Sequence, residues 1–185
     1  MHSREKIIEG CLKKKRRYQN LLFSYYEHQI MGISMRYAKD EQDAKDIFQE
    51  TFIKIFKQLK NLVDPTALDA WMRKIAVHTA IDFYHHQMKT KMNGCDIILE
   101  TRLKNEEYEK MMDNLNNEQL VGIINDMPVG YRMVFNMYVM EGYKHREIAE
   151  LLSISENTSK SQLKAAKIYL KKRLLEMGIM SYEVA

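Results

Sequence analysis

The chain has 185 residues and a formal charge of only +4 at pH 7, so a nucleic-acid role depends on where the charge lies rather than on its total. Its two cysteines, Cys11 and Cys95, fit none of the usual zinc spacings and argue against a disulfide framework. Because no apolar stretch approaches the ~20 residues of a membrane span and the first residues lack a signal-peptide core, we expect a soluble, cytoplasmic protein.

The first two helices are predicted from apolar stripes, and residues 1–20 are expected to form an N-terminal extension. A stripe at steps of three and four residues predicts a helix ending near Asp40, and it consists of Leu22, Tyr26, Ile30, Ile33 and Tyr37. A second helix is predicted from about Glu41 to Leu59. Its apolar face consists of Ala44, Phe48, Phe52, Ile55 and Leu59.

The second helix also carries an acidic stripe, set apart from its apolar face. The carboxylates of this stripe are Asp43, Asp46 and Glu50. Taken alone, such a stripe is an ordinary solvated surface. Ile47 and Ile53 interrupt it, however, and an exposed apolar residue flanked by carboxylates indicates a partner surface with an apolar centre and a charged rim.

A third helix is predicted after the turn at Asp64 and Pro65, from about Ala67 to His86. Its inner face consists of Leu68, Trp71, Met72 and Ile75. The helix also carries His78, His85 and His86, but His78 and His85 lie two turns apart and no nearby carboxylate pair completes a metal site. We predict neither a metal nor a cofactor.

A polar connector separates this first block from a second one. Periodicity weakens from Gln87 to about Asn117, which predicts a tether that is at most partly helical. The second block begins near Glu118 and breaks at Met127 and Pro128. It continues in a helix that carries Tyr131, Val134, Phe135 and Tyr138.

The second block ends in the pattern of a helix-turn-helix, between Tyr143 and Leu174. The first helix of the pattern, His145 to Leu152, has Ile148, Ala149 and Leu152 on one face. Ser155 is a suitable N-cap for the next helix, because its side chain can accept the backbone N–H of Thr158. The inner face of that helix consists of Leu163, Ala166, Leu170 and Leu174.

The outward arc of the last helix is basic and is where base edges would be met in a major groove. It comprises Ser161, Ala165 and Lys172, with Asn157, Thr158, Lys164 and Ile168 beside them. From 143 to 174 the chain has eight Lys or Arg against three Glu, an excess of five that suits contact with phosphates. An ordinary helical hairpin with a solvated basic face is the alternative.

Two motifs together carry a resemblance to a known family. The segment 43–56 of the second helix is one of them, and the segments 127–135, 141–149 and 155–163 make up the other. They resemble regions 2 and 4 of bacterial sigma factors of the small extracytoplasmic-function group. The resemblance implies an all-α fold with two small helical domains joined by a flexible linker, of which the C-terminal one is a helix-turn-helix.

The resemblance also implies boundaries, partners and site residues. Region 2 would span 21–90, the linker 91–117, region 4 118–176, and a C-terminal tail 177–185. The implied partners are core RNA polymerase, through its β′ clamp helices and β flap, and promoter DNA, both double-stranded and melted; an anti-sigma factor is left open. The core-binding residues would be Asp43, Asp46, Ile47, Gln49, Glu50 and Phe52, although packing is an alternative role for Phe52.

The resemblance also implies two sets of residues that would contact promoter DNA. The −10 element would be opened and read by Trp71, Lys74, His78, Tyr84, His85 and His86. Trp71 is also a candidate for core packing. Tyr84 is the better candidate for stacking on a flipped base. The −35 element would be read by Asn157, Thr158, Lys160, Ser161, Lys164, Ala165, Lys171 and Lys172.

The chain departs from the family pattern at several of these positions. His78 stands where Asn is common, and His85 and His86 stand where Arg is usual. Ala165 often corresponds to Arg in the family, and Asn157 to Gly. Neutral histidines hold phosphate less firmly than arginines, so strand opening is expected to be affected.

Other classes of function fit the sequence less well. A free-standing helix-turn-helix regulator that binds an operator is the runner-up, but it would leave the acidic helix unexplained. An enzyme is disfavoured because the chain has no P-loop, dinucleotide glycine pattern, nucleophile elbow or zinc-protease helix motif.

Overall fold

The computed structural model describes residues 3–90 and 117–178, and every regular element in these ranges is helical. The chain divides into two compact units, residues 1–88 and 89–185. The all-α fold predicted from the sequence is confirmed. The predicted linker at 91–117 lies outside the described residues except for Asn117, and so does the predicted tail at 177–185 except for Met177 and Gly178. None of the described helices is both long and apolar enough to cross a membrane.

From residue 3 onward, the first unit contains four α-helices. Side-chain caps start three of its elements. Ser3 accepts the backbone N–H of Lys6 at 3.4 Å, Asp40 that of Asp43 at 2.9 Å and Asp64 that of Thr66 at 2.8 Å. The helices are α1 (Arg4–Leu12), α2 (Arg16–Tyr37), α3 (Glu41–Gln58) and α4 (Leu68–Thr90), with 3₁₀ turns at Leu59–Asn61 and Pro65–Ala67.

The core of this unit follows the predicted stripes closely. All five stripe residues of α2 are buried, and so are four of the five in the second stripe; Phe48 is half-buried. Phe23 of α2 meets Phe48 and Phe52 of α3 in an aromatic cluster, with ring centroids 5.8 and 4.6 Å apart. On α4, Leu68, Met72 and Ile75 are buried, whereas Trp71 remains partly exposed.

The expected N-terminal extension contains a helix that packs on the unit. Ile7, Ile8 and Cys11 of α1 are buried, and Nη2 of Arg4 lies 2.6 Å from Oδ2 of Asp69 at the start of α4. Burial raises the pKa of the Cys11 thiol to about 11, so this side chain behaves as a small apolar group. The first residues therefore belong to the folded unit.

The second unit ends in the predicted helix-turn-helix. Within 117–178 its helices are α5 (Asn117–Asn125), α6 (Val129–Phe135), α7 (His145–Leu152) and α8 (Glu156–Glu176). Arg132 of α6 is buried, and its Nη1 donates to the carbonyl of Asn125 at 2.6 Å, which joins α6 to the end of α5.

The helix predicted to carry Tyr138 departs from α geometry. A π-helical turn spans Asn136–Met140 and closes with a 3.1 Å bond from Glu141 N to Asn136 O. The wider turn shifts the side chains out of the 3.6-residue period. Tyr138 is consequently 39% exposed, and Asn136 and Met137 are buried.

The packing of α1 on α2 predicts that a side chain added at Gly10 lowers the stability of the protein. A Cβ at Gly10 would lie 2.2 Å from Cγ of Tyr18, so Gly10→Ala forces a shift in the packing of α1 on α2. We expect a loss of roughly 1–3 kcal/mol in urea unfolding. Gly32→Ala, with no heavy atom within 4 Å, is the helical control and should gain up to ~1 kcal/mol. Equal stability of the two variants would contradict the packing of α1.

Candidate functional site

The acidic stripe of α3 forms an exposed surface. Asp46, Gln49 and Glu50 are exposed, while Asp43 is half-buried and accepts Nε2 of Gln87 at 2.8 Å. Gln42, one turn before Asp46, donates to it at 3.3 Å. We call Asp46, Gln49, Glu50 and Ile53 the acidic face of α3.

The expectation that Ile47 is exposed is wrong. Ile47 is 1% exposed, and Thr51, one turn further, is also fully buried and donates its hydroxyl to the Ile47 carbonyl at 2.7 Å. The buried arc of α3 is thus wider than the predicted stripe. Ile53 is 45% exposed, so it is the apolar residue that the carboxylates flank.

Phe52 is a packing residue in this structure. Its ring lies among those of Phe23, Phe48 and Phe56, at centroid distances between 4.6 and 6.2 Å, and the side chain is 5% exposed. Of the two roles left open by the sequence, the structure supports packing.

The predicted −10 residues are all at least partly accessible. Lys74 and His86 are exposed, and Trp71, His78, Tyr84 and His85 are half-buried. At about 100° per residue, Trp71, Lys74, His78 and His85 share one face of α4, whereas Tyr84 lies about 120° from His78 around the helix. The Tyr84 ring nevertheless lies 5.6 Å from the His85 ring, measured between centroids, so Tyr84 adjoins this face at His85 without sharing it.

His78 lies beside a contact between α3 and α4. Burial, and then the charge of Lys74, lower the pKa of His78, so its neutral form is favoured. Nζ of Lys54 on α3 binds Oδ2 of Asp82 on α4 at 2.7 Å. In the part of the chain that the structure describes, no group of three His, Cys, Asp or Glu could hold a metal ion.

The helix-turn-helix is built as the sequence predicts. Ser153 adopts φ 56° at the end of α7, and Ser155 caps α8 by accepting Thr158 N at 2.9 Å. The predicted inner faces of both helices are buried, namely Ile148, Ala149, Leu152, Leu163, Ala166, Leu170 and Leu174.

The predicted −35 residues lie on the accessible side of α8, and none of the eight is buried. The exposed ones are Asn157, Lys160, Ser161, Lys164 and Lys172, and the half-buried ones are Thr158, Ala165 and Lys171. Lys160 pairs with Glu156 at 2.7 Å, and Lys172 lies 3.9 Å from Glu176.

The sequence reasoning missed a polar contact inside the helix-turn-helix. Ser159 is fully buried, and its Oγ lies 2.9 Å from Nδ1 of His145 on α7. The His145 ring stacks on Tyr138 at 4.5 Å between centroids. Burial, and then the charge of Lys160, lower the pKa of His145, so a neutral imidazole connects the π turn, α7 and α8. Because Ser159 continues the inner face one turn before Leu163, the helical period could have predicted its burial, although not its partner on α7.

A second contact fixes the other end of α8. Arg173 Nη2 lies 3.2 Å from Oδ2 of Asp126, and the Tyr169 hydroxyl donates to the Asp126 carbonyl at 3.0 Å. Asp126 belongs to the connection between α5 and α6. Polar contacts thus join both ends of α8 to other elements of its unit.

Comparison with known proteins gives matches over both units. The family model for sigma-70 region 2 matches residues 22–90, and that for sigma-70 region 4 matches residues 117–170. RNA polymerase sigma factor SigV of Bacillus subtilis is 28% identical over 155 residues, which are 82% of this chain and 90% of SigV. The ECF RNA polymerase sigma-E factor of Haemophilus influenzae is 24% identical and matches over 91% of this chain and 93% of its own.

A solved structure shows a weaker likeness. CnrH, in a complex with the cytosolic domain of CnrY, has 16% sequence identity and a TM-score of 0.48, and the match covers 92% of this chain and 96% of CnrH. The family models and the sequence relatives, and not this likeness, identify the family.

The chain combines a helical unit that has an acidic face with a unit that ends in a basic helix-turn-helix. This organisation is typical of a DNA-binding transcription factor. The chain belongs to the extracytoplasmic-function group of sigma-70 factors. It is therefore a sigma factor that directs promoter-specific transcription initiation, and sigma factors are non-catalytic. The match to region 2 disfavours a free-standing regulator.

Proposed function

We propose that the first unit contacts core RNA polymerase through the acidic face of α3 and opens the −10 element with α4. The second unit reads the −35 element with α8. We assign region 2 to 21–90 and region 4 to 118–176, with a linker at 91–117 between them. The observation that carries the proposal is a difference in charge between two exposed surfaces whose helices are buried on the other side. The acidic face of α3 carries two exposed carboxylates, whereas α8 carries three exposed lysines, Lys160, Lys164 and Lys172.

The acidic face suits a basic, partly apolar partner. Asp46 and Glu50 lie one helical turn apart and exposed, with Ile53 beside them. Charge depletion at the centre and charged residues at the rim are common in protein interfaces. We assign this surface to the β′ clamp helices. Asp43 lies at the edge of the surface, while Ile47 and Phe52 support α3 from the buried side.

On α4 the shared face of Trp71, Lys74, His78 and His85 is the proposed contact with the melted −10 strand. The exposed Lys74 supplies charge for a phosphate, and the partly exposed Trp71 supplies a ring. His86 lies at the edge of this face. Tyr84 lies outside the face, and we assign it a DNA contact there.

On α8 the proposed −35 contacts divide by position along the helix. Asn157, Thr158, Lys160, Ser161, Lys164 and Ala165 lie in its first half, where a recognition helix meets base edges. Lys171 and Lys172 lie further along and are assigned to phosphates.

The β flap and an anti-sigma factor are further partners of the family, for which we assign no residues. Because core polymerase acts in the cytoplasm, we expect this protein to act there as well.

The polymerase contact is tested by reversing charge on the acidic face. Asp46→Lys combined with Glu50→Lys should weaken core binding at least about tenfold, or ~1.4 kcal/mol, with helicity unchanged because both side chains are exposed. The matched control, Glu5→Lys with Glu9→Lys, makes the same charge change at the same spacing on α1. A core affinity within about threefold of the wild type, measured by fluorescence titration, would contradict the assignment.

The orientation of α8 is tested by promoter selection with holoenzyme. From a library randomised at the −35 element, Lys164→Ala should change the preferred sequence. Lys172→Ala should weaken binding on all sequences alike and lower the salt slope by roughly one. Each variant is the control for the other, since both remove one exposed charge from the same helix. An unchanged preference for Lys164→Ala would refute the orientation.

A further inference from the structure

Five consecutive cations span the connection between α1 and α2 and the first two residues of α2. We call Lys13, Lys14, Lys15, Arg16 and Arg17 the basic turn. All five side chains are exposed. Lys13 pairs with Glu9 on α1, and the charge of Lys15 also acts on that carboxylate. Within residues 3–90 and 117–178, the side chains of Lys14, Lys15, Arg16 and Arg17 form no ion pair or hydrogen bond. The first turn of α2 contains no acidic residue that could offset the charge.

The residue types in the basic turn contradict local structural preferences at several positions. Lys14 adopts φ 53°, a conformation that favours glycine, and Lys15 is the N-cap of α2 but makes no side-chain cap bond. Arg16 and Arg17 lie in the first helical turn, where the helix dipole favours carboxylates over cations. Such conflicts between local preference and residue type are typical of functional positions.

The basic turn belongs to the same compact unit as α4. Arg4, near the start of α1, binds Asp69 at the start of α4, and α1 contacts the 3₁₀ turns that lead into α4. The basic turn follows the other end of this nine-residue helix, about 13 Å away along its axis. Both surfaces are thus within reach of one DNA molecule.

We propose that the basic turn binds backbone phosphates of promoter DNA beside the −10 element, without reading sequence. This inference rests on the proposed function, which brings DNA to the same unit. A run of unpaired cations matches the closely spaced phosphates of a polyanion, and each contact releases counterions. The four unpaired side chains can move independently to meet phosphates, whereas a sequence-reading contact needs a fixed donor geometry.

The experiment uses two variants whose effects on stability and on DNA binding have opposite signs. Lys15→Asp supplies a preferred N-cap, and Lys14→Gly relieves the positive φ, so both should raise the midpoint of thermal unfolding. Both should weaken binding of holoenzyme to promoter DNA. For Lys15→Asp we expect a loss on the order of fivefold and a salt slope smaller by roughly one. A purely structural role would move both readouts in the same direction.

The matched control is Lys39→Asp, which makes the same charge change beyond the other end of α2, about 33 Å along the helix. It should leave the affinity for DNA and the salt slope near the wild-type values. If Lys15→Asp matches this control in both readouts, the basic turn is a solvated surface and the proposal is overturned.

Two further outcomes identify a different partner and would also overturn the proposal. One is an equal loss of affinity for core polymerase alone, which would indicate an acidic protein surface. The other is unchanged DNA binding with lost binding to vesicles containing phosphatidylserine, which would indicate a membrane surface. The sequence preference of the holoenzyme distinguishes a failure of this proposal from a failure of the proposed function. Variants of the basic turn should keep the wild-type preference, whereas a wild-type holoenzyme with no preference would refute the proposed function itself.

Discussion

Burial of one face of each helix determines which side chains can meet a partner. On α8, Leu163, Ala166 and Leu170 are buried, so Lys164 must lie on the accessible side of the same two turns. On α3, burial of Ala44, Ile47 and Thr51 leaves Asp46 and Glu50 exposed in the same way. The surfaces assigned to polymerase and to DNA are therefore consequences of core packing. A core substitution that rotates either helix would move its binding surface as well.

The small net charge conceals a division of charge between surfaces. The acidic face of α3 presents Asp46 and Glu50, whereas α8 and the basic turn present lysines and arginines. Opposite charges suit the two kinds of partner that a sigma factor must hold together, a protein surface and a polyanion.

Sequence reasoning succeeded where one local rule determines the structure and failed where several elements pack together. The stripe of α2, the Ser155 cap and the inner face of α8 follow from helical period and capping, and all are present. Ile47 was assigned to the wrong side because the width of a buried arc depends on neighbouring helices. The π turn at Asn136–Met140 and the contact between His145 and Ser159 arise from tertiary packing, and α1 is too short for a sustained stripe.

The central claim is that this chain gives core RNA polymerase its choice of promoter. The most direct measurement is transcription from a randomised promoter library by core polymerase with and without the purified protein, after the mixture has been resolved by size-exclusion chromatography. The account predicts that the protein co-elutes with core and that transcripts start downstream of one enriched pair of −35 and −10 sequences only when it is present. Failure to co-elute, or transcripts with the same start sites in its absence, would contradict the account.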